Sequence, residues 1–363
     1  MRITIKLGTS TLTAGSGALH VPTILDLVRQ IVAARQRGAQ VVLVSSGAVA
    51  AGRAALGWPS LPKHVPQKQM LSAIGQPRLM QLYGELFGHY GVQIAQVLLT
   101  RADLENRRRY LNARNTLDGL LQQNVLPIVN ENDTVATEEI RVGDNDQLSA
   151  LVANLLQSEQ LLLLTDQAGL FERNPRAYPD AQLIEEISGP SIAEHIWQAA
   201  GASAGNLGTG GMLTKLRAAE QARRMGCMVL IADGREPEVI ARASSGALRC
   251  TRILASRDAR ESRKRFLLAV PLSGKVSIDA GAGQALSRSS SLLPVGIRSI
   301  QGEFERGDLV SISHDGVEMA RGLASYSANE LSQLCGLRSE DIEAKLGYTR
   351  GEVAIHRDDL VLL

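Results

Sequence analysis

Six short aliphatic runs limit what this chain can fold into: Ile3-Thr4-Ile5-Lys6-Leu7, Val41–Val44, Ile94–Leu99, Val125–Val129, Leu161–Leu164 and Met228–Ile231. Runs of this length with little polar alternation suit strands buried on both faces, as in a parallel sheet covered by helices. The stretches between them carry helical patterns, at Thr23–Arg37, Gln67–Tyr90, Asn106–Gln123 and Thr214–Met225. Strand and helix in alternation predict an α/β three-layer sandwich around a mostly parallel sheet, with right-handed crossovers. Ligands of such sheets sit beyond the carboxyl ends of the strands. Chemistry is therefore expected in the Gly-, Ser- and Asp-rich segments that follow them.

The pattern changes after about residue 250. Seven basic residues between Arg249 and Arg265 face only Asp258 and Glu261, which reads as a linker or a solvated helix. Beyond Pro271 come short strand-like runs punctuated by glycines at 274, 281, 283, 296, 302, 307, 316 and 322, the signature of a small, mostly β domain. The expected organisation is a catalytic α/β domain over residues 1–253, a basic linker over 254–270 and a β domain over 271–355. A length of 363 residues accommodates two domains.

Composition narrows the function classes. Aromatics are 3% of the chain, too few for a reading that needs platforms for stacked bases. The net charge of +2 calls for neither nucleic acid nor an anionic membrane. Residues 271–363 hold nine Lys/Arg against thirteen Asp/Glu, a net of −4, so RNA binding by the β domain is disfavoured. Cys227, Cys250 and Cys335 form no CxxC pair and read as reduced thiols of a cytosolic protein. No apolar run approaches the ~18 residues of a membrane span, and the opening MRITIKLGTS shows no signal-peptide pattern. The six histidines show no metal-site spacing, so no protein-bound metal is expected.

Five segments are candidates for chemistry. Lys6-Leu7-Gly8-Thr9-Ser10 sets a cation beside the backbone N–H groups of a turn, a pairing suited to phosphate oxygens. Taken alone, Lys6 reads more readily as a lysine on an exposed strand followed by a common turn. Ser45-Ser46-Gly47 stands at a strand-to-helix turn, a seat for a carboxylate or phosphate as well as an ordinary helix cap. NENDTVATEEIRVGDNDQ, residues 130–147, gathers Asn130, Asn132 and Asp133, then Asp144, Asn145 and Asp146. Asn donates to carboxylates and Asp accepts from ammonium groups, the equipment for holding an amino acid. Gly208-Thr209-Gly210-Gly211-Met212-Leu213-Thr214-Lys215 runs glycines into a helix start, where the backbone approaches an anion closely. It is not a Walker A loop, and no GxGxxG follows the first strand. Thr165-Asp166 ends the Leu161–Leu164 run, where it suits a nucleotide or a plain turn.

Together these segments resemble the amino-acid kinase family, and within it the glutamate 5-kinases. The resemblance runs over IKLGTS (5–10), SSGAVAAG (45–52), LTRAD (99–103), NEND (130–133), VGDNDQLSA (142–150), LLTDQAG (163–169) and GTGGMLTK (208–215). It implies ATP-dependent phosphorylation of the γ-carboxylate of L-glutamate, the first step of proline biosynthesis, with Mg2+ carried on the nucleotide. It implies that Lys6, Thr165, Asp166, Thr209, Gly210, Gly211, Met212, Leu213, Thr214 and Lys215 bind ATP. Ser46, Asp133 and Asn145 would bind glutamate, and Lys6, Lys215 and Asp146 would form the catalytic set, with Asp146 orienting the lysines. A homo-oligomer is expected, with a glutamyl phosphate reductase as a plausible partner for the labile product. The tail resembles a PUA domain over VSIDAGAGQA (276–285), SSLLPVG (290–296), GEFERGDLV (302–310) and ARGLASY (320–326). Two positions depart from the family pattern: Leu213, where a small polar residue is common, and Asn174 before Pro175, where Asp is frequent. A kinase of the same fold acting on acetylglutamate, aspartate, carbamate or a nucleotide is the rival reading, and an RNA-binding protein is the rival from another class.

Overall fold

The structure is a computed structural model and describes residues 1–57, 65–136, 144–202, 211–256 and 271–363. The chain divides into two compact units, Met1–Glu105 with Asn112–Ala259 and Asn106–Leu111 with Arg260–Leu363.

In the order of the chain, the elements of the first part are β1 (Arg2–Leu7), α1 (Thr9–Thr13), α2 (Val21–Gln36), β2 (Gln40–Ser45), α3 (Ala48–Ala55), α4 (Val65–Gly88), β3 (Ile94–Leu99), α5 (Arg101–Glu105) and α6 (Arg107–Gln122). They continue with β4 (Leu126–Glu131), α7 (Asp144–Leu155), β5 (Gln160–Thr165), β6 (Glu186–Ile187), α8 (Glu194–Ala202), α9 (Met212–Arg224), β7 (Met228–Asp233), α10 (Val239–Ser245) and β8 (Thr251–Ile253). All six aliphatic runs are strands. They lie in one sheet of order β3-β4-β2-β1-β5-β7-β8-β6, parallel throughout except for the β7–β8 pair.

Strand alternation divides the core into two layers. Ile3, Ile5 and Leu7 of β1 join Val41 and Leu43 of β2, Leu162 and Leu164 of β5 and Leu230 of β7 on one face, covered by residues of α2, α4 and α10 such as Ile24, Ile31, Leu79, Phe87 and Ile240. Leu161, Leu163, Val229 and Ile231 point to the opposite face, against Ala150 and Ala153 of α7 and Leu216 and Ala219 of α9. The result is the expected three-layer sandwich. The same alternation aims Lys6 away from the Ile5 and Leu7 layer, toward the α7 and α9 side.

The second unit holds a sheet of order β10-β9-β11-β12-β13, built from β9 (Gly274–Ile278), β10 (Ile297–Gln301), β11 (Leu309–His314), β12 (Val317–Leu323) and β13 (Leu360–Leu362). The β9–β11 pair is parallel and the others antiparallel. Among the described residues three short helices accompany it: α11 (Ala280–Ser287), α12 (Ala328–Leu334) and α13 (Ile342–Leu346). The unit has its own apolar core, including Val276, Ile312, Tyr326, Leu331 and Ile355. A Ser327–Glu330 capping box starts α12.

Candidate active site

Lys6 is the penultimate residue of β1 and Asp146 lies in the first turn of α7. Lys215 is in the first turns of α9. The fold brings these three together. Lys6 Nζ is 2.6 Å from Asp146 Oδ1, and Lys215 Nζ is 3.3 Å from Asp146 Oδ2. Thr214 donates its hydroxyl to the same Oδ2 at 2.7 Å and also to the carbonyl of Gly211 at 2.8 Å. Relative exposures are 5%, 1% and 5% for Lys6, Asp146 and Lys215, so the centre is buried.

Two ammonium groups share one carboxylate, which leaves a buried net charge of about +1. The titration behaviour follows. Burial pushes the Asp146 carboxyl upward, but the fields of Lys6 and Lys215 reverse this and hold it at about 2. Lys6 is driven below the ordinary lysine value, first by burial and then by the charge of Lys215, with Asp146 opposing. One anion cannot compensate two desolvated cations fully. The centre is therefore an ionic cluster with one cation in excess, chemically suited to an added anion.

The loop into α9 starts the helix at Met212, with Gly211 as the cap residue in extended conformation and no side chain capping the first turn. Its leading N–H groups and the helix dipole suit an anion. Thr209 and Gly210 lie outside the described residues. Leu213, the departure from the family pattern, packs against the α7–α9 core cluster instead of presenting a polar group.

A second group of residues lies across β1 from α9. Gly47 turns the chain from β2 into α3 with φ +105°, a conformation that favours glycine. The turn leaves Ser46 half-buried beside Asn145. Asn145 Nδ2 donates to Ser46 Oγ at 3.1 Å and to Asn130 Oδ1 at 3.0 Å. The Glu131 N–H donates to Asn130 Oδ1 at 2.9 Å and to Asn145 Oδ1 at 3.3 Å. Asp133 has a different hydrogen-bond partner. Its Oδ2 accepts from Ser72 of α4 at 2.6 Å, and burial raises its carboxyl, with Ser72 and Lys68 opposing.

At the ends of β5 and β7, Thr165 donates to Asp166 Oδ1 at 3.1 Å. Arg176 reaches Asp166 Oδ2 at 2.6 Å, and Arg235 donates to the Asp166 carbonyl at 2.9 Å while pairing with Asp233 at 2.7 Å. Sequence reasoning missed Arg176 and Arg235. Both are isolated arginines in turns, and only the parallel register of Thr165 with Asp233 reveals their convergence. It also missed Ser72 and Gln76 on α4. Their spacing of four residues was visible, but nothing in one helix shows what it faces.

Fold and site together define a phosphate-handling enzyme of the open α/β class. Residues 1–233 match the family model described as the amino acid kinase family, and residues 274–346 match the PUA domain. The chain belongs to the amino-acid kinase family. It is similar over its whole length to proteins named glutamate 5-kinase. That of Deinococcus radiodurans is 52% identical over 365 residues, covering 100% of both chains. That of Pasteurella multocida is 49% identical and that of Photobacterium profundum 52%, each covering 99% of this chain and 98% and 96% of the relative.

Proposed function

We propose that the chain is a glutamate 5-kinase, transferring the γ-phosphoryl group of ATP to the γ-carboxylate of L-glutamate in proline biosynthesis. The observation that carries the reading is the buried Lys6–Asp146–Lys215 centre, an electropositive core joined to the Asn130–Asn145–Ser46 cluster through the adjacent residues Asn145 and Asp146. The full-length similarity to glutamate 5-kinases supports the substrate.

A carboxylate with an ordinary pKa near 4.3 is ionised at neutral pH, so the nucleophile needs no base. One carboxylate oxygen forms a bond to Pγ as the Pγ–O bond to ADP breaks, and the leaving electron pair stays on the ADP β-phosphate. The obstacle is bringing one anion to another. Lys6, Lys215 and the N–H groups at the start of α9 neutralise the transferring phosphoryl group, and Asp146 holds the two ammonium groups in place. Gly211, Met212, Leu213 and Thr214 contribute backbone to the nucleotide, and the ATP-binding role proposed for Thr209 and Gly210 rests on the resemblance. Thr165 and Asp166 sit where the ribose and base emerge. Ser46, Asn145 and Asp133 hold glutamate, with Asp133 taking the α-ammonium. Both oxygens of Asp146 are committed to cations and a hydroxyl, so it does not fit as a metal ligand. Mg2+ enters with ATP as part of the substrate.

We assign residues 1–253 to the kinase domain, 254–270 to a linker and 271–355 to the PUA-like domain, in keeping with the extents of the two family matches. The three free cysteines suit a reducing cytoplasm. Among the described residues, no helix is long and apolar enough to cross a membrane. Strand β3 forms an edge of the sheet with Ile94, Val97 and Leu98 only half-buried, which supports a homo-oligomer. The lability of an acyl phosphate supports a reductase that receives it. The deciding experiment supplies ATP, glutamate and hydroxylamine and follows γ-glutamyl hydroxamate. Glutamate-dependent hydroxamate is the expected result. ATP consumption with acetylglutamate, aspartate or carbamate, and none with glutamate, would replace the substrate assignment.

A further inference from the structure

Helix α4 presents a polar seam to the strand ends. Gln69 donates to the carbonyl of Ala136 at 2.9 Å, Ser72 to Asp133 at 2.6 Å, and Gln76 accepts from Asn130 Nδ2 at 2.8 Å. Spacings of three and four residues put all three on one face of the helix. The seam follows the backbone from Asn130, at the end of β4, to Ala136.

Gln76 has a distinct place in it. The orientation of its amide is fixed by a chain of unambiguous donors. The Glu131 backbone N–H can only donate, so the Asn130 atom it meets is Oδ1. The Nδ2 of Asn130 therefore faces Gln76, and the atom of Gln76 it meets is Oε1. By the same N–H, Asn145 is fixed with Oδ1 toward Glu131 and Nδ2 toward Asn130 and Ser46. Gln76 thus holds the rotamer of Asn130, and Asn130 holds the amide of Asn145.

The other end of the Gln76 amide argues that this is not a packing residue. Gln76 is 8% exposed and its Nε2 has no hydrogen-bond partner among the described residues. An unmet buried donor is destabilising. A side chain of similar size without polar atoms would fill the same space without that cost. The carbonyl oxygen is the part of the side chain that does something for the fold's polar network, and what it does is orient Asn130.

We propose that Gln76 is a positioning residue for the amino-acid acceptor, acting through Asn130 to aim the Asn145 side chain. This rests on the assignment of Asn145 to the acceptor. The test is a kinetic cycle of Gln76→Met, Asn145→Ala and the double variant, measuring KM for glutamate and for ATP separately, with thermal unfolding alongside. Gln76→Met should raise KM for glutamate about tenfold, the scale of one lost hydrogen bond. KM for ATP should stay within about twofold of the parent value, too small a change to signal a lost contact. In the Asn145→Ala background the same substitution should add less than about threefold, because residues acting through one another are not additive. Gln76→Leu should reproduce the split if Gln76→Met folds poorly. Equal rises in both KM values, or full multiplication of the two single effects, would overturn the inference. A raised KM in Asn145→Ala with none in Gln76→Met would overturn it alone. An unchanged KM in Asn145→Ala would remove the acceptor assignment, and the inference with it.

Discussion

Two cations on one buried anion determine how single residues behave here. Lys215→Ala leaves Asp146 paired with Lys6, so the fold should survive with a melting temperature close to that of the parent. Loss of one positive group from the transferring phosphoryl should lower kcat by about 10²–10³. Near-normal turnover would remove Lys215 from the chemistry. Lys6 gives a pH signature. Its folded pKa lies below the ordinary lysine value of 10.5, so its charge is lost as pH rises through that lowered value. The alkaline limb of kcat/KM for ATP should therefore begin below pH 10.5, and a profile flat to 10.5 would contradict it. Asp146 works in the other direction. Its pKa of about 2 is depressed from 3.8, so its stabilising charge persists above pH 4 and is lost only as pH falls from about 4 toward 2. Acid inactivation nearer neutrality must come from other groups.

At the scale of elements, α3 and α4 cross with no room between their backbones. A Cβ on Gly75 would lie 1.8 Å from the carbonyl oxygen of Ala48 and 2.4 Å from the nitrogen of Gly52. Backbone atoms cannot swing aside as a flexible side chain does. Gly75→Ala should therefore cost about 3 kcal/mol or more and lower the melting temperature by roughly 10 °C, read by calorimetry. It should also raise KM for glutamate, since α4 carries Ser72 and Gln76. This crossing was not legible in the sequence. Gly52 and Gly75 look like ordinary glycines within helical stretches, and only their meeting in space explains them. The strands were legible because burial on both faces writes itself as unbroken aliphatic runs. Lys6, Asp146 and Lys215 were each legible as candidates, yet their meeting was not. They are separated by 140 and 69 positions, and parallel crossovers erase sequence distance. Asp133 read as a member of one Asn/Asp cluster, whereas the structure gives it to Ser72 and leaves Asn130 and Asn145 with Ser46.

The whole molecule joins a kinase unit to a unit with a separate core and a separate sheet. Residues 271–363 carry a net charge of −4, and phosphate backbones are bound through cations. A gel shift of this protein with structured RNA at micromolar concentration should show no salt-sensitive complex. A complex that weakens steeply with added salt would show that the fold-level likeness to PUA domains extends to binding. The second unit has an apolar core of its own, built around Val276, Ile312 and Tyr326.

Strand β1 lies between β2 and β5, so it divides the carboxyl edge of the large sheet into two territories. Of the residues proposed for the acceptor, Ser46 follows β2 and Asp133 follows β4, on the β2 side. Thr165 and Asp166, proposed for the nucleotide, follow β5 on the other side, and Lys6 of β1 stands at the border with the adjacent Asn145 and Asp146 of α7. A chain laid out this way is modular in its chemistry. On the proposed assignments, exchange or drift of the segment from β2 through β4, together with Asp133 and Asn145, changes what is phosphorylated while the residues proposed to grip ATP stay in place.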